Sequence, residues 1–229
     1  MPGLPPVAHA CIKRPVKAST LLALCGLMAA WSAAIGAAEG GKPDLSGLWM
    51  QDRGSWVVDK LPFTPAGKAK HASKQAPSAV EACTVHHFGQ IITGPLPVEI
   101  LQSDKRITLL YENDHEVRRV FMDGRKHPAD LDATTMGHAI GRWEGDTLVI
   151  ETVGLREGWF RPEGVPYTGK ARVLERLTLD KGGDKIHVQL TLEDPEYYAK
   201  PVEVTREFKR MVDGEILEDL CVVSEYRYK

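Results

Sequence analysis

Cysteine is scarce in this sequence, four in 229 residues, and Cys11 and Cys25 belong to an N-terminal stretch with the features of a leader. The domain that follows keeps only Cys83 and Cys221, which excludes a disulfide-dense scaffold and leaves one expected bridge between them. Closing so long a loop would stabilise by ~4 to 5 kcal/mol on the chain-entropy model; two buried thiols are the alternative. An excess of positive charge is lacking too. Lys and Arg number 29 against 31 Asp and Glu, a net charge of −2 that becomes −5 once the leader removes three cations and no anion. A mildly acidic chain is a poor ligand for nucleic acid or an anionic membrane, and the short clusters Lys68, Lys70, Lys74 and Arg118, Arg119 read as solvated. There is no Gly-x-Ser-x-Gly elbow and no Gly-rich phosphate loop, so serine hydrolysis and nucleotide chemistry have no motif behind them. The histidines beyond the leader fall in no zinc-ligand spacing, and the adjacent pair His86 and His87 would point to opposite faces of a strand. Neither a metal nor a cofactor is expected.

What is present begins with an export signal over residues 1–38. Lys13, Arg14 and Lys17 precede Ser19 to Ala37, an uncharged run rich in Ala and Leu, and Gly36 and Ala38 supply a peptidase site. Cleavage is expected after Ala38, which places the protein in the periplasm or outside the cell, with membrane contact only through the leader. An uncleaved anchor is the alternative, since the run is about 20 residues long, near the length that spans a bilayer. Leu24, ahead of Cys25, speaks against lipid attachment there.

Residues 39–229 are enough for one domain with its own core. β-rich runs separated by turn residues recur through them: Leu45 to Met50, Val98 to Gln102, Arg106 to Glu112, Val117 to Asp123, Gly137 to Trp143, Thr147 to Val153, Ala171 to Leu179, Ile186 to Glu193, Val202 to Arg210 and Glu215 to Arg227. The fold class is therefore all-β. About ten antiparallel strands in series would leave two open edges unless they close, which predicts an up-and-down barrel or a strongly curved sheet; a two-sheet sandwich is the alternative. Residues 52–97 read as a long loop with one short helix near Pro65 to Lys74.

Three runs carry a resemblance: Phe121-Met-Asp-Gly-Arg125-Lys-His127-Pro128, Gly137-His138-Ala-Ile-Gly-Arg-Trp143-Glu-Gly-Asp146-Thr-Leu-Val-Ile-Glu151-Thr152, and Thr191-Leu-Glu-Asp-Pro195. With the opening Asp44-Leu-Ser-Gly-Leu-Trp49, the chain resembles a largely uncharacterised family of exported bacterial proteins, and the resemblance implies a lipocalin-like barrel. It transfers no catalytic residue. Ala139 and Glu151 stand where Ser and Asp are common in that family.

Candidate site residues come from the hairpin around Trp143. With Glu144 and Gly145 as the central turn residues, His138 lies directly opposite Glu151, close enough to pair as an acid–base dyad; an exposed cross-strand ion pair is the other outcome. The opposite face, Gly137, Ala139, Gly141 and Trp143 against Leu148 and Ile150, would leave space for a ligand or simply pack as core. If that face points inward, His138 points out. The turn from Asp123 to Pro128 would put Arg125 and His127 at one mouth of the barrel, able to hold a carboxylate or phenolate and move a proton beside it. His115, Arg119, Tyr167, Glu175 and Glu193 are further candidates. Two functions fit these residues. One is a cofactor-free exported enzyme doing acid–base chemistry, a lyase, dehydration or isomerisation step, on a small, partly aromatic molecule. The other is a periplasmic carrier or sensor that holds a small hydrophobic ligand in the same cavity without changing it. The sequence says nothing of oligomeric state.

Overall fold

A computed structural model describes residues 41–51, 60–73, 86–160 and 164–218. The leader, Cys83, Cys221 and most of the expected strand Glu215 to Arg227 lie outside these residues, and 214–218 form no strand. The described strands are β1 (Gly47–Gln51), β2 (Pro97–Gln102), β3 (Arg106–Tyr111), β4 (Val117–Phe121), β5 (His138–Glu144), β6 (Thr147–Val153), β7 (Gly158–Phe160), β8 (Val165–Tyr167), β9 (Arg172–Leu179), β10 (Lys185–Glu193) and β11 (Val202–Arg210). Among the described residues two α-helices accompany them, α1 (Pro65–Ala72) and α2 (Phe88–Ile92), with a single 3-10 turn over Asn113–His115.

Nine strands close into a barrel in the order β1-β11-β10-β9-β6-β5-β4-β3-β2, and β7 and β8 form a separate hairpin. Closure comes from β1, which pairs antiparallel with β2 on one edge and β11 on the other. The expected purely antiparallel meander is corrected at one place: β4 and β5 run parallel, with Val120 against Ala139 and Phe121 against Ile140. Parallel neighbours need a crossover of a dozen or more residues rather than a tight turn, and residues 122–137 supply it. Gly137 ends this crossover at φ +63°, where an added Cβ would sit 2.6 Å from the Val153 carbonyl oxygen. Only glycine satisfies both constraints.

Alternation decides which side chains fill the barrel. Leu148, Ile150, Val173, Leu177, Val188, Leu190, Val204 and Phe208 are buried and belong to one core with Trp49, Ile100, Leu109 and Val120. The small face of β5 is part of this core and leaves no ligand space at Gly141: its missing side chain is replaced by Met122 Sδ and Val120 Cγ1, 2.5 and 2.8 Å from where a Cβ would stand. One end of the barrel carries the β5–β6 and β9–β10 turns. The other is covered by α2, whose Phe88, Gly89, Ile91 and Ile92 are all buried, and which packs on β7. Short apolar pieces such as Phe88–Ile92 show too little periodicity to read as helix. The helix expected near Pro65 is present as α1, with Thr64 Oγ1 accepting from the Gly67 amide at 3.1 Å as its N-cap.

Candidate functional site

The barrel interior holds ionic side chains among its apolar ones. Arg118 on β4 shares its face with Val120, so it points inward and is 1% exposed; the expectation that it is solvated is corrected. Its Nη2 donates to Thr152 Oγ1 at 2.8 Å and to Glu175 Oε2 in a short ion pair, while its guanidinium lies over the Phe88 ring, 5.1 Å to the centroid. Nε and Nη1 of Arg118 have no hydrogen-bond partner among the described residues. Burial opposes the charge, yet Glu175 and the Tyr111 hydroxyl together outweigh it and hold the guanidinium above its ordinary pKa. Tyr111, fully buried beside them, has its hydroxyl pushed up by burial and feels the charges of Arg118, Glu175 and Arg206. Arg206 on β11 donates to Gln51 Oε1 at 2.6 Å. One polar cluster thus sits in the lumen beneath α2.

The hairpin at Trp143 turns one residue later than expected. Glu144 pairs with Thr147, so Gly145 and Asp146 are the central residues, and His138 faces Val153 while Ile140 faces Glu151. Gly145 takes φ +59°, the left-handed first position that a II′ turn reserves for glycine. Moving the turn by one residue changes each pairing by two, which preserves the faces. His138 and Glu151 remain on one side, but that side is the outer wall. The proposed direct dyad is therefore corrected: His127, from the crossover, stands between them. His127 Nδ1 and His138 Nδ1 are hydrogen-bonded at 2.7 Å, and His127 Nε2 is 3.7 Å from Glu151 Oε1. Arg172 then holds Glu151 with two bonds of 2.9 and 3.0 Å and Glu193 with one of 2.8 Å. This series of contacts fastens the crossover to the outer wall of the barrel and lies outside the lumen.

Burial, the largest influence on each, holds both imidazoles below the ordinary histidine pKa; Glu151 opposes this at His127, and the charges of His127 and Arg125 add to it at His138. As pH falls from about 6.5, the ordinary histidine value, the unfolded chain takes up these protons first, so the folded state loses stability down to the depressed values and regains it on return to neutral. Two protonated imidazoles also cannot share one hydrogen bond, since neither Nδ1 could accept. Thermal melts from pH 7.5 to 5 should therefore show a shallower pH slope for His127→Phe/His138→Phe than for the wild type. Identical slopes would remove these histidines from the linkage.

The other candidates are dispersed. Arg125 pairs with Asp123 and lies 3.9 Å above the ring of outward-facing Phe121, so neither it nor His127 forms a barrel mouth. Arg119 is exposed on the outer wall, and exposed His115 has its Nε2 3.4 Å from the Leu217 carbonyl oxygen. Tyr167 is buried in β8, where its hydroxyl accepts from the Gly89 amide at 3.3 Å, and Glu193 faces outward to Arg172. Of the expected set only Glu175 is in the lumen cluster.

The structure adds a pair that sequence spacing did not single out. His86 Nδ1 lies 2.9 Å from both Asp114 carboxylate oxygens, beside α2. Asp114 and His115 adopt φ of 55° and 53°, uncommon for side chains other than glycine and a form of strain that concentrates at functional sites. Among the described residues no group of three or more His, Cys, Asp or Glu is placed to hold a metal ion, and no helix is long and apolar enough to cross a membrane.

No protein-family model matches the chain, and no curated protein matches it. Among solved structures, a tyrosine-to-phenylalanine variant of the REP1-NXSQ fatty acid transporter aligns with a TM-score of 0.39 and 15% identity, over 73% of this chain and 98% of that one.

Proposed function

We propose that the protein is a carrier or sensor, working outside the cytoplasm, that holds a small and largely apolar molecule in its barrel by an anionic end bonded to Arg118. One observation carries this: a guanidinium 1% exposed that bonds Thr152 and Glu175 through Nη2, has the Tyr111 hydroxyl beside it, and presents Nε and Nη1 to no hydrogen-bond acceptor of good geometry among the described residues. A buried donor without an acceptor costs about 1 to 3 kcal/mol. A carboxylate or phenolate placed there would offset that cost with charge-assisted bonds. The buried apolar side chains beside the cluster, Phe88 and Val120 among them, are the kind of surface the rest of such a molecule would contact.

The experiment compares decanoate with its methyl ester in equilibrium titrations. The acid should bind at least about tenfold more tightly than the ester, and the preference should vanish in Arg118→Met/Glu175→Leu, which removes the ion pair without stranding a charge. Equal binding of acid and ester by the wild type, or an unchanged preference in the double variant, would overturn the proposal.

Proton transfer on the bound molecule is favoured by a separate observation, the His86–Asp114 pair. A carboxylate that accepts a hydrogen bond from Nδ1–H fixes the tautomer in which Nε2 carries the lone pair and can act as a base, the arrangement that general acid–base catalysis uses. In heavy water such an enzyme would exchange a ligand C–H for deuterium, and His86→Ala would stop it. Exchange unaffected by that substitution would leave the carrier function alone.

A further inference from the structure

On the outer wall, the crossover and the β6–β7 connection fold over β4 and leave a dish of about 430 Å³. Its rim carries Arg119 of β4 and Arg156, with Thr134 and Thr135 of the crossover between them, and its floor is Val117, Phe121, Met136 and Gly137. The backbone fixes this shape: the Thr134 amide donates to the Gly154 carbonyl at 3.1 Å and the Arg156 amide to the Thr134 carbonyl at 2.8 Å. Both arginines are exposed, and neither guanidinium has an ion-pair or hydrogen-bond partner among the described residues, whereas Arg118, Arg125, Arg142, Arg172 and Arg176 are each paired with a carboxylate.

We infer that this dish is a second binding site, separate from the lumen, for a small aromatic carboxylate. The charges set the ligand's valence. Two guanidiniums face a single lining carboxylate, Glu116, and His138, at the edge of the dish, is held neutral near pH 7 by its burial and by the nearby charges of His127 and Arg125. One negative charge balances the site. A guanidinium receives a carboxylate through two parallel N–H bonds, and the threonine hydroxyls can donate to the same oxygens. The body of the ligand is set by the floor, whose apolar side chains and the stacked pair Phe121 and His138, 5.3 Å between centroids at 25°, present aromatic edges to a ring. The volume lies within the range that ring-sized ligands fill.

The test is a titration of the full chain with benzoate, followed by amide chemical shifts, with benzamide as the uncharged control. Benzoate should move Thr134, Thr135 and Gly137, and benzamide should not. Arg119→Gln and Arg156→Gln should each weaken benzoate by about tenfold, and together abolish it, without altering the preference for decanoate over its ester. Benzoate binding that survives the double substitution, no shifts at millimolar benzoate, or shifts confined to Tyr111 and Phe88 would each overturn the inference. The last would place benzoate in the lumen. Because the two sites use different arginines, failure here leaves the proposal at Arg118 intact, and the reverse holds.

Discussion

Arg118→Met should destabilise the protein by about 3 to 5 kcal/mol, the range for breaking a buried ion pair from one side. The loss is large because Glu175, 5% exposed, would keep its charge with the matching cation gone. Glu175→Leu strands Arg118 in the same way, although Thr152 and the Phe88 ring still contact its guanidinium. Making both changes removes the charge problem, and apolar replacement of a buried pair is often neutral or stabilising. The double variant should therefore be more stable than either single one, with a coupling of at least about 1 to 3 kcal/mol. Urea denaturation of the four proteins measures it. Additive losses, or a single-variant cost under about 1 kcal/mol as for an exposed pair, would show that water reaches the lumen cluster.

Trp49→Ala should cost a similar amount, about 3 to 5 kcal/mol for truncating a large buried aromatic. Trp49 is fully buried on the strand that closes the barrel, opposite Val98 of β2 and Arg210 of β11. Its indole N–H donates to the Leu45 carbonyl at 2.9 Å, and the Arg210 guanidinium lies 4.1 Å above its ring. The substitution thus opens a cavity, removes a buried hydrogen bond and frees a cation at one seam. Trp49→Phe keeps most of the apolar area and should recover more than half of the loss. Hydrogen exchange should locate the damage, with amides of β1 and β11 losing protection before those of β9 and β10. Uniform loss across all strands would mean that closure at β1 is not the weak point.

The barrel was legible because period-two alternation and turn residues are local signals. Nine of its strands fall where the runs predict, and the parallel step at β4 was implicit in the long gap between Phe121 and His138. The lumen cluster was hidden by the pattern Val117-Arg118-Arg119-Val120, which puts one apolar and one cationic residue on each face. Nothing local says which arginine points inward; pairing with Leu109 and contact with Phe88 decide it. The hairpin register is legible in the turn residues: a II′ turn wants glycine first, which selects Gly145-Asp146 over Glu144-Gly145. His86 and Asp114 lie far apart in sequence and meet through α2 and the strained turn after β3, a pairing that no spacing rule anticipates. The outer dish needs the crossover laid over β4, and its path is a tertiary property.

The most direct measurement is nitrogen-detected NMR of the Arg118 side chain during titration with decanoate. If Arg118 is the anchor, its Nε–H resonance should shift downfield as the carboxylate saturates and its exchange with water should slow, while Glu175→Leu keeps the same response and methyl decanoate produces none. An Arg118 Nε–H resonance that stays unmoved while decanoate binds would place the anionic end elsewhere and contradict the central claim.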